Sequence, residues 1–226
     1  MTADHNHIDR ILSLRDKESD SLLQLYRKDT SLIIVGCPHD RSDKWKKRKE
    51  KNLIKVFSHP ATNIGDSYGW YRSEALVRTD FSHAFDYFYH RVEDLPKLID
   101  ILSDLRVLER KNDNEMTVSV KSRTVFPINP RTATIHIVRR RLSEKKAEVV
   151  LRNIAAREGS HAGPLLKKFV SWVGFESDES KDGFVKLTQH MYVDPGLPIP
   201  SGVLEPILVQ LSHNFLAKIV GELEKI

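Results

Sequence analysis

The sequence YVDPGLPIPSGVLEPILVQLSHNFLAKIVGELEKI, residues 192–226, decides how the rest of the chain can fold. Pro195 and Gly196 mark a turn after a strand, and Pro198 and Pro200 keep the following residues extended. Pro206 would lie in the first turn of a helix, where its missing N–H costs nothing. Apolar residues then recur every three or four positions, at Leu204, Leu208, Leu211, Phe215, Ile219 and Leu223. This spacing predicts a helix over about 203–224, roughly 33 Å long, which could lie across a whole small domain.

Composition indicates a globular chain that works in a reducing environment. The chain has 226 residues, of which 40% are hydrophobic, enough to bury one full core. It contains no apolar run long enough to cross a bilayer, and its N-terminus is too polar for a signal peptide. A single cysteine, Cys37, excludes an internal disulfide. We therefore expect a cytoplasmic protein, and the net charge of +5 mildly favours anionic partners.

The chain divides into a short N-terminal unit, 1–42, and a main domain, 43–226. In the first unit, His5 to Lys28 has the pattern of an amphipathic helix. Leu32 to Gly36 is short and apolar, and its pattern fits either a buried strand or a packed connector. We expect this unit to pack on the main domain.

Residues 43–51 form the most basic stretch of the chain, DKWKKRKEK. A solvated surface segment explains this pattern most simply. The functional alternative is a patch that contacts anionic membranes, formed by Lys44, Trp45, Lys46, Lys47 and Arg48, with the indole as interfacial anchor. We expect no nucleic-acid partner, because no groove-reading motif or aromatic platform accompanies the charge.

The main domain has an α+β pattern. Two strands, from Leu53 to Ser58 and from Tyr68 to Arg78, come before an aromatic helix over Ala84 to His90, which Asp80 or Ser82 can cap. A second short helix opens at Glu93. From Leu105 the apolar period changes from helical to two, which predicts about six antiparallel strands before the long helix. The expected fold is a curved antiparallel sheet wrapped around the C-terminal helix, with a hydrophobic cavity between them.

Short motifs in this domain occur in an order that can be compared with known families. In sequence they are Trp45, Glu74-Ala75-Leu76-Val77 before the aromatic helix around Phe85, Val107-Leu108-Glu109, the segment Pro127 to Arg131, and LTQHMYVDPGLPIP at residues 187–200. Together, from Trp45 to Ile226, they resemble the START-domain family of helix-grip lipid-transfer proteins. Leu197 stands where that family has a second glycine in its turn, and Thr132 stands where it often has aspartate.

The resemblance implies a protein that binds one hydrophobic ligand, a phospholipid or a sterol, in an internal cavity. Such a protein transfers the ligand between membranes or senses it, and it needs neither catalysis nor a cofactor. The resemblance also implies that the terminal helix or a neighbouring loop, such as Gly159 to Pro164, moves to admit the ligand.

Strand alternation predicts which side chains line this cavity. Leu187, Gln189 and Met191 share the more apolar face of the last strand, so we expect them to point inward. Gln189 is then either a polar contact for the ligand or a core amide bonded to the backbone. Leu208, Leu211 and Phe215 are expected to form the helix side of the wall, and Trp172 is expected in the wall or in the core.

Two further candidates are polar residues within apolar strands, His136 and Arg152. The usual position of such a residue faces outward from a half-buried strand. If Arg152 instead faced inward, its guanidinium could bind a phosphate or a carboxylate.

The sequence supports other chemistry poorly. His5 and His7 lack the neighbours of a metal site, and Cys37 lacks the third group of a thiol enzyme. Two alternatives to lipid transport remain open. A cyclase or hydrolase of the same fold would need an inward acid–base pair, such as His136 or His190 beside a carboxylate. An interaction module would have its cavity filled by Trp172, Phe175 and Phe215, and the empty volume would separate this case from a carrier.

Overall fold

A computed structural model describes residues 44–61, 67–154 and 164–225, except for the side chain of Phe88. The predictions for the N-terminal unit 1–42, including its helix, Cys37, His5 and His7, lie outside the described residues. So do residues 159–163 of the loop expected to move.

One antiparallel sheet of nine strands forms the body of the described domain. The strand order is β1-β2-β3-β9-β8-β7-β6-β5-β4, so β1 and β4 are the sheet edges. The strands are β1 (Lys46–Lys51), β2 (Ile54–His59), β3 (Trp70–Arg78), β4 (Leu102–Asn112), β5 (Glu115–Ser122), β6 (Thr132–Arg141), β7 (Lys146–Ile154), β8 (Lys168–Ser177) and β9 (Phe184–Asp194). The predicted α+β helix-grip class is confirmed.

The basic stretch forms an edge strand, which the sequence analysis did not predict. β1 pairs with β2 through a tight turn in which Asn52 and Leu53 have φ angles of 52° and 63°. The predicted strand from Leu53 to Ser58 begins one residue later, at Ile54, and Leu53 lies in the turn with 81% of its surface exposed. The chain reverses at this residue and turns its side chain to solvent. The charged side chains of β1 suit a sheet edge, because charge discourages pairing with another strand.

The aromatic helix α1 (Phe81–His90) begins three residues before the predicted start at Ala84. Of the two predicted caps, Asp80 and Ser82, the structure has Asp80, whose carboxylate accepts a hydrogen bond from the His83 N–H. The buried aromatic side chains of α1 pack against an arginine side chain from β6. The guanidinium of Arg139 lies 5.2 Å from the ring centre of Phe85 and 4.5 Å from that of Tyr89. These cation–π contacts hold α1 against one end of the sheet. A 3-10 turn (Val92–Asp94) and the short helix α2 (Leu95–Leu98) then lead to β4.

The long helix α3 (Ser201–Leu223) confirms the helix that the C-terminal pattern predicted. It begins two residues earlier than expected, so Pro206 lies inside the helix and not in its first turn, as the sequence analysis had placed it. Its buried seam follows one face, through Leu204, Leu208, Ser212, Leu216, Ile219 and Leu223. α3 packs mainly against β1, β2 and β3. Near its start, Glu205 accepts a hydrogen bond from Ser58 at 2.9 Å and lies 2.8 Å from the Nε of Arg48. Because α3 packs on one half of the sheet, a space remains over the other half.

None of the described helices combines the length and the apolar character that crossing a membrane requires.

Candidate functional site

The candidate site is an apolar cavity of about 250 Å³ between α3 and the half of the sheet that α3 does not cover. Three groups of apolar side chains form most of its wall. They come from residues 95–105, which include α2 and the start of β4 (Leu95, Leu98, Ile99, Leu102, Leu105), from β5 and β6 (Val118, Val120, Ala133, Ile135, Ile137), and from α3 (Leu208, Leu211, Phe215). Four wall residues are exposed to solvent, Asp100, Arg123, Asn214 and Lys218, and we call the opening beside them the mouth.

Five of the residues proposed from the sequence lie in this wall: Gln189, Met191, Leu208, Leu211 and Phe215. Gln189 is only 4% exposed. Its Oε1 accepts a hydrogen bond from the Ser73 hydroxyl at 3.2 Å, and its Nε2 donates to the Ser171 hydroxyl at 3.3 Å. Its amide therefore bridges two serine side chains on the strands either side of β9, and no backbone group of the described residues bonds to it. With respect to those residues, one N–H and one lone pair of the amide remain available to a ligand.

The other four proposed residues, Leu187, His136, Arg152 and Trp172, are not part of the described wall. Leu187 is on the inward face as expected, but it is paired with Ala75 and Phe175 in the closed core. The remaining three alternate with wall residues, His136 with Ile135 and Ile137, Arg152 with Leu151, and Trp172 with Ser171. Because neighbouring side chains of a strand point to opposite faces, these three lie on the other side of the sheet.

His136 does form a pair with a carboxylate, but on the face away from the cavity. Its Nε2 lies 2.9 Å from Glu115 Oε1. Burial lowers the pKa of the His136 imidazole, and the hydrogen bond with Glu115 opposes this shift only in part. On the same outer face, Trp172 donates its indole N–H to Glu148 at 2.8 Å, and Glu148 also pairs with Arg140. The only carboxylate that the described wall contains is Asp100, at the mouth.

The residues proposed for membrane contact occupy the edge strand and the residues before it. Lys44, Lys46, Lys47 and Arg48 are exposed. Lys47 pairs with Glu50, and Arg48 with Glu205. Trp45 is half-buried, and its ring centre lies 5.1 Å from that of His59 and 5.0 Å from the Arg72 guanidinium carbon. The indole thus packs on the outer face of the sheet, unlike the free interfacial anchor that the sequence suggested.

Sequence reasoning missed two features beside the cavity. Arg131 lines the wall and is only 9% exposed. Its position two residues before Ala133 and four before Ile135, both in the wall, was a signal that could have placed it there. Phe126 is 88% exposed in the loop between β5 and β6, whose neighbouring residues Val125 and Ile128 line the cavity. Phe126 lies outside the strands, so the alternation of apolar and polar residues could not identify it.

In the described part of the chain, no group of three histidine, cysteine, aspartate or glutamate side chains could hold a metal ion.

Of three comparisons with known proteins, the one with solved structures gives matches, and these share the fold. No protein-family model matches the sequence, and no curated protein matches it significantly. Solved structures do match. Human StAR-related lipid transfer protein 5 is 14% identical, with a TM-score of 0.69 over 94% of this chain and 98% of that one. A STAR-related lipid transfer protein from Xanthomonas axonopodis is 16% identical, with a TM-score of 0.67 over 80% of this chain and 99% of that one. The lipid transfer and protein localization domain of human StarD13 is 13% identical, with a TM-score of 0.64 over 83% and 92%. At these identities the likeness shows the fold: a START-like helix grip.

Proposed function

We propose that this protein binds one hydrophobic ligand, such as a phospholipid or a sterol, in its internal cavity and carries it between membranes or senses it. The observation that supports this most directly is the apolar cavity of about 250 Å³ between α3 and the sheet. The cavity speaks against an interaction module with a filled core. Solved structures with the same fold include proteins named as lipid transfer proteins.

The energetics favour an apolar ligand. Each buried methylene contributes about 0.8 kcal/mol, so a chain of about ten methylenes contributes roughly 8 kcal/mol before the entropic cost of binding. The volume lies just below the range of roughly 300–1,000 Å³ for ligand pockets. A single aliphatic chain suits this volume, whereas a larger lipid requires α3 or a loop at the mouth to move outward.

The ligand leaves the cavity chemically unchanged in this proposal. An acid–base reaction needs a pair of titratable groups facing the substrate. The histidine–carboxylate pair of His136 and Glu115 faces away from the described cavity, and Asp100 lies at the mouth with a side chain that is 77% exposed. We therefore favour a carrier over a cyclase or hydrolase of the same fold.

Transfer requires the mouth to meet a membrane. Phe126 is exposed in the loop whose Val125 and Ile128 line the cavity, and the mouth carries the exposed cations Arg123 and Lys218. An exposed aromatic next to cations is suited to the interface of an anionic bilayer. The basic edge strand, with Lys44, Lys46, Lys47 and Arg48, adds positive charge elsewhere on the surface. The single cysteine supports a cytoplasmic location.

The test is lipid capture by the purified full chain. Native mass spectrometry is followed by solvent extraction and lipid identification, and delipidated protein is then incubated with mixed vesicles and separated from them. We expect one lipid molecule per protein molecule, from the expression host or from the vesicles. A protein that takes up no lipid from vesicles of varied composition would refute the proposal.

A further inference from the structure

We propose that the ligand is an anionic amphiphile and that Arg131 binds its carboxylate or phosphate group inside the cavity. This inference rests on the proposed function, because it concerns the chemical class of the ligand in the same cavity. It starts from a cation in the wall whose charge no carboxylate of the described chain balances.

The position of Arg131 is fixed by its backbone and by one side-chain bond. Its backbone N–H donates to the Ser122 hydroxyl at 2.8 Å, and its carbonyl accepts from the Ser122 N–H at 2.8 Å. Its Nε donates to the Pro195 carbonyl at 3.0 Å. The side chain is therefore held in the wall between the start of β6 and the turn that leads to α3.

The charge of Arg131 has no counterpart within the described residues. The residue is 9% exposed, and no described carboxylate oxygen lies within the 4.0 Å of an ion pair. A buried cation without a partner is costly, and a guanidinium stays protonated at any physiological pH. Of its five N–H donors, the Pro195 carbonyl uses one. The remaining donors can bind an anionic group in the planar, two-bond geometry that suits carboxylate and phosphate.

The charged side chains of the whole wall sum to a positive net charge. The wall contains three cations, Arg123, Arg131 and Lys218, and one carboxylate, Asp100. The Asp100 carboxylate lies 3.9 Å from the Lys218 ammonium at the mouth, and it forms no ion pair with Arg131. Ser122 adds a hydroxyl to the wall whose proton can be donated to the same anion. An anionic amphiphile complements this wall, whereas a neutral ligand leaves the buried guanidinium unpaired.

A purely structural role for Arg131 predicts a different outcome. If the residue only braced the turn through Pro195, its replacement would weaken the binding of every ligand equally. If it binds an anion, its replacement weakens anionic ligands selectively. The experiment therefore compares ligands with the same chain and different head groups.

The test uses the delipidated full chain at pH 7.5 with laurate, dodecyl phosphate and 1-dodecanol, and measures each affinity by titration calorimetry. We expect the better of the two anions to bind at least about tenfold more tightly than 1-dodecanol, the range of one charge-assisted hydrogen bond. Tighter binding of laurate would indicate a ligand with a free carboxylate, and tighter binding of dodecyl phosphate would indicate a ligand with a phosphate head group. Arg131→Gln should abolish the preference and leave 1-dodecanol within about twofold, and Arg131→Lys should retain part of it. Arg152→Gln, at an arginine on the face of the sheet away from the cavity, serves as the matched control and should retain the preference.

The inference is overturned if 1-dodecanol and both anions bind wild type equally, or if Arg131→Gln keeps the preference. It is also overturned if Arg131→Gln weakens all three ligands alike, since that is the result of a structural role. In each of these cases the proposed carrier function stands, because the dodecyl chain still binds. If no dodecyl compound binds wild type and no vesicle lipid is captured, the proposed function fails together with the inference.

Discussion

The phenol oxygen of Tyr68 lies 2.5 Å from the carbonyl oxygen of Leu197 and 3.2 Å from the backbone nitrogen of Ile199. The hydroxyl donates to the first and accepts from the second, so one buried side chain clamps the turn between β9 and α3. The same turn is held by Asp194, which accepts from the Gly196 N–H and pairs with Lys167. Side chains from outside the turn, Tyr68 and Lys167, therefore hold the residues that connect β9 to α3.

Tyr68→Phe removes this clamp while it keeps the ring. We expect a loss of about 1 kcal/mol in the free energy of unfolding, because two hydrogen bonds of the turn lose their partner. We also expect faster release of bound lipid, measured by stopped-flow transfer of a fluorescent lipid to vesicles. An unchanged release rate together with lowered stability would show that this turn does not control opening.

Leu211→Trp should fill the cavity from the helix side. Leu211 lies in the wall, and the larger side chain would occupy space that the ligand needs. We expect lipid capture from vesicles to fall at least about tenfold. Val203→Trp, on the same helix but 45% exposed, is the matched control and should capture lipid normally. Equal capture by both variants would place the ligand elsewhere.

His136 should make stability depend on pH. Burial lowers the pKa of its imidazole in the folded protein, so the unfolded chain binds this proton at a higher pH than the folded chain does. Its contribution to stability is therefore fully present above the unfolded pKa of about 6.5 and is lost as the pH falls towards and through the folded value. We expect the free energy of unfolding, measured in urea, to fall less between pH 7.5 and pH 5.5 in His136→Asn than in wild type. An equal fall in both proteins would contradict a lowered pKa of His136.

Phe126→Ser tests the membrane-facing role of the mouth. The side chain is 88% exposed, so its replacement should leave stability within about 0.5 kcal/mol. We expect transfer between anionic vesicles to slow severalfold while equilibrium lipid binding is unchanged. Leu142→Ser removes another exposed apolar side chain, 58% exposed and in the connection between β6 and β7, and should transfer lipid at the wild-type rate. Slowing by both substitutions would indicate a nonspecific surface effect.

Phe126→Ser can be compared with charge reversal on the edge strand. If Lys46→Glu with Lys47→Glu slows transfer and Phe126→Ser does not, the basic stretch rather than the mouth is the contact with the membrane. Both lysines are exposed on β1, so their replacement should not disturb the core.

Local periodicity was enough to predict most elements of the described domain. The helix at Ser201–Leu223 and the strands up to Asp194, the first of which was predicted from Leu105 and begins at Leu102, follow from spacings of three to four or of two along the chain. The Asp80 cap, one of two predicted, follows from the type of residue. Strand alternation also predicted the inward face of β9, where Gln189 and Met191 lie in the wall. These are properties of neighbours in sequence, and burial of one face produces them.

The edge strand and the extent of the cavity could not be predicted in this way. β1 is charged on both faces because it is exposed at the sheet edge, so no period marks it, and its strand conformation depends on pairing with β2. Leu187 and Gln189 share one face of β9, yet the first is packed in the core and the second borders empty space. The difference arises from where α1 and α3 contact the sheet, which is set by packing between elements far apart in the chain.

The sequence by itself determined most of the elements, their order and the inward face of the last strand, because each follows from local spacing and burial. Only the tertiary structure decided that α3 packs on β1–β3 and leaves the other half of the sheet open. The same packing places Arg131 in the cavity wall with no carboxylate partner in the described chain. Whether a side chain meets a neighbour or a void depends on distances between helix and sheet, which no local pattern encodes.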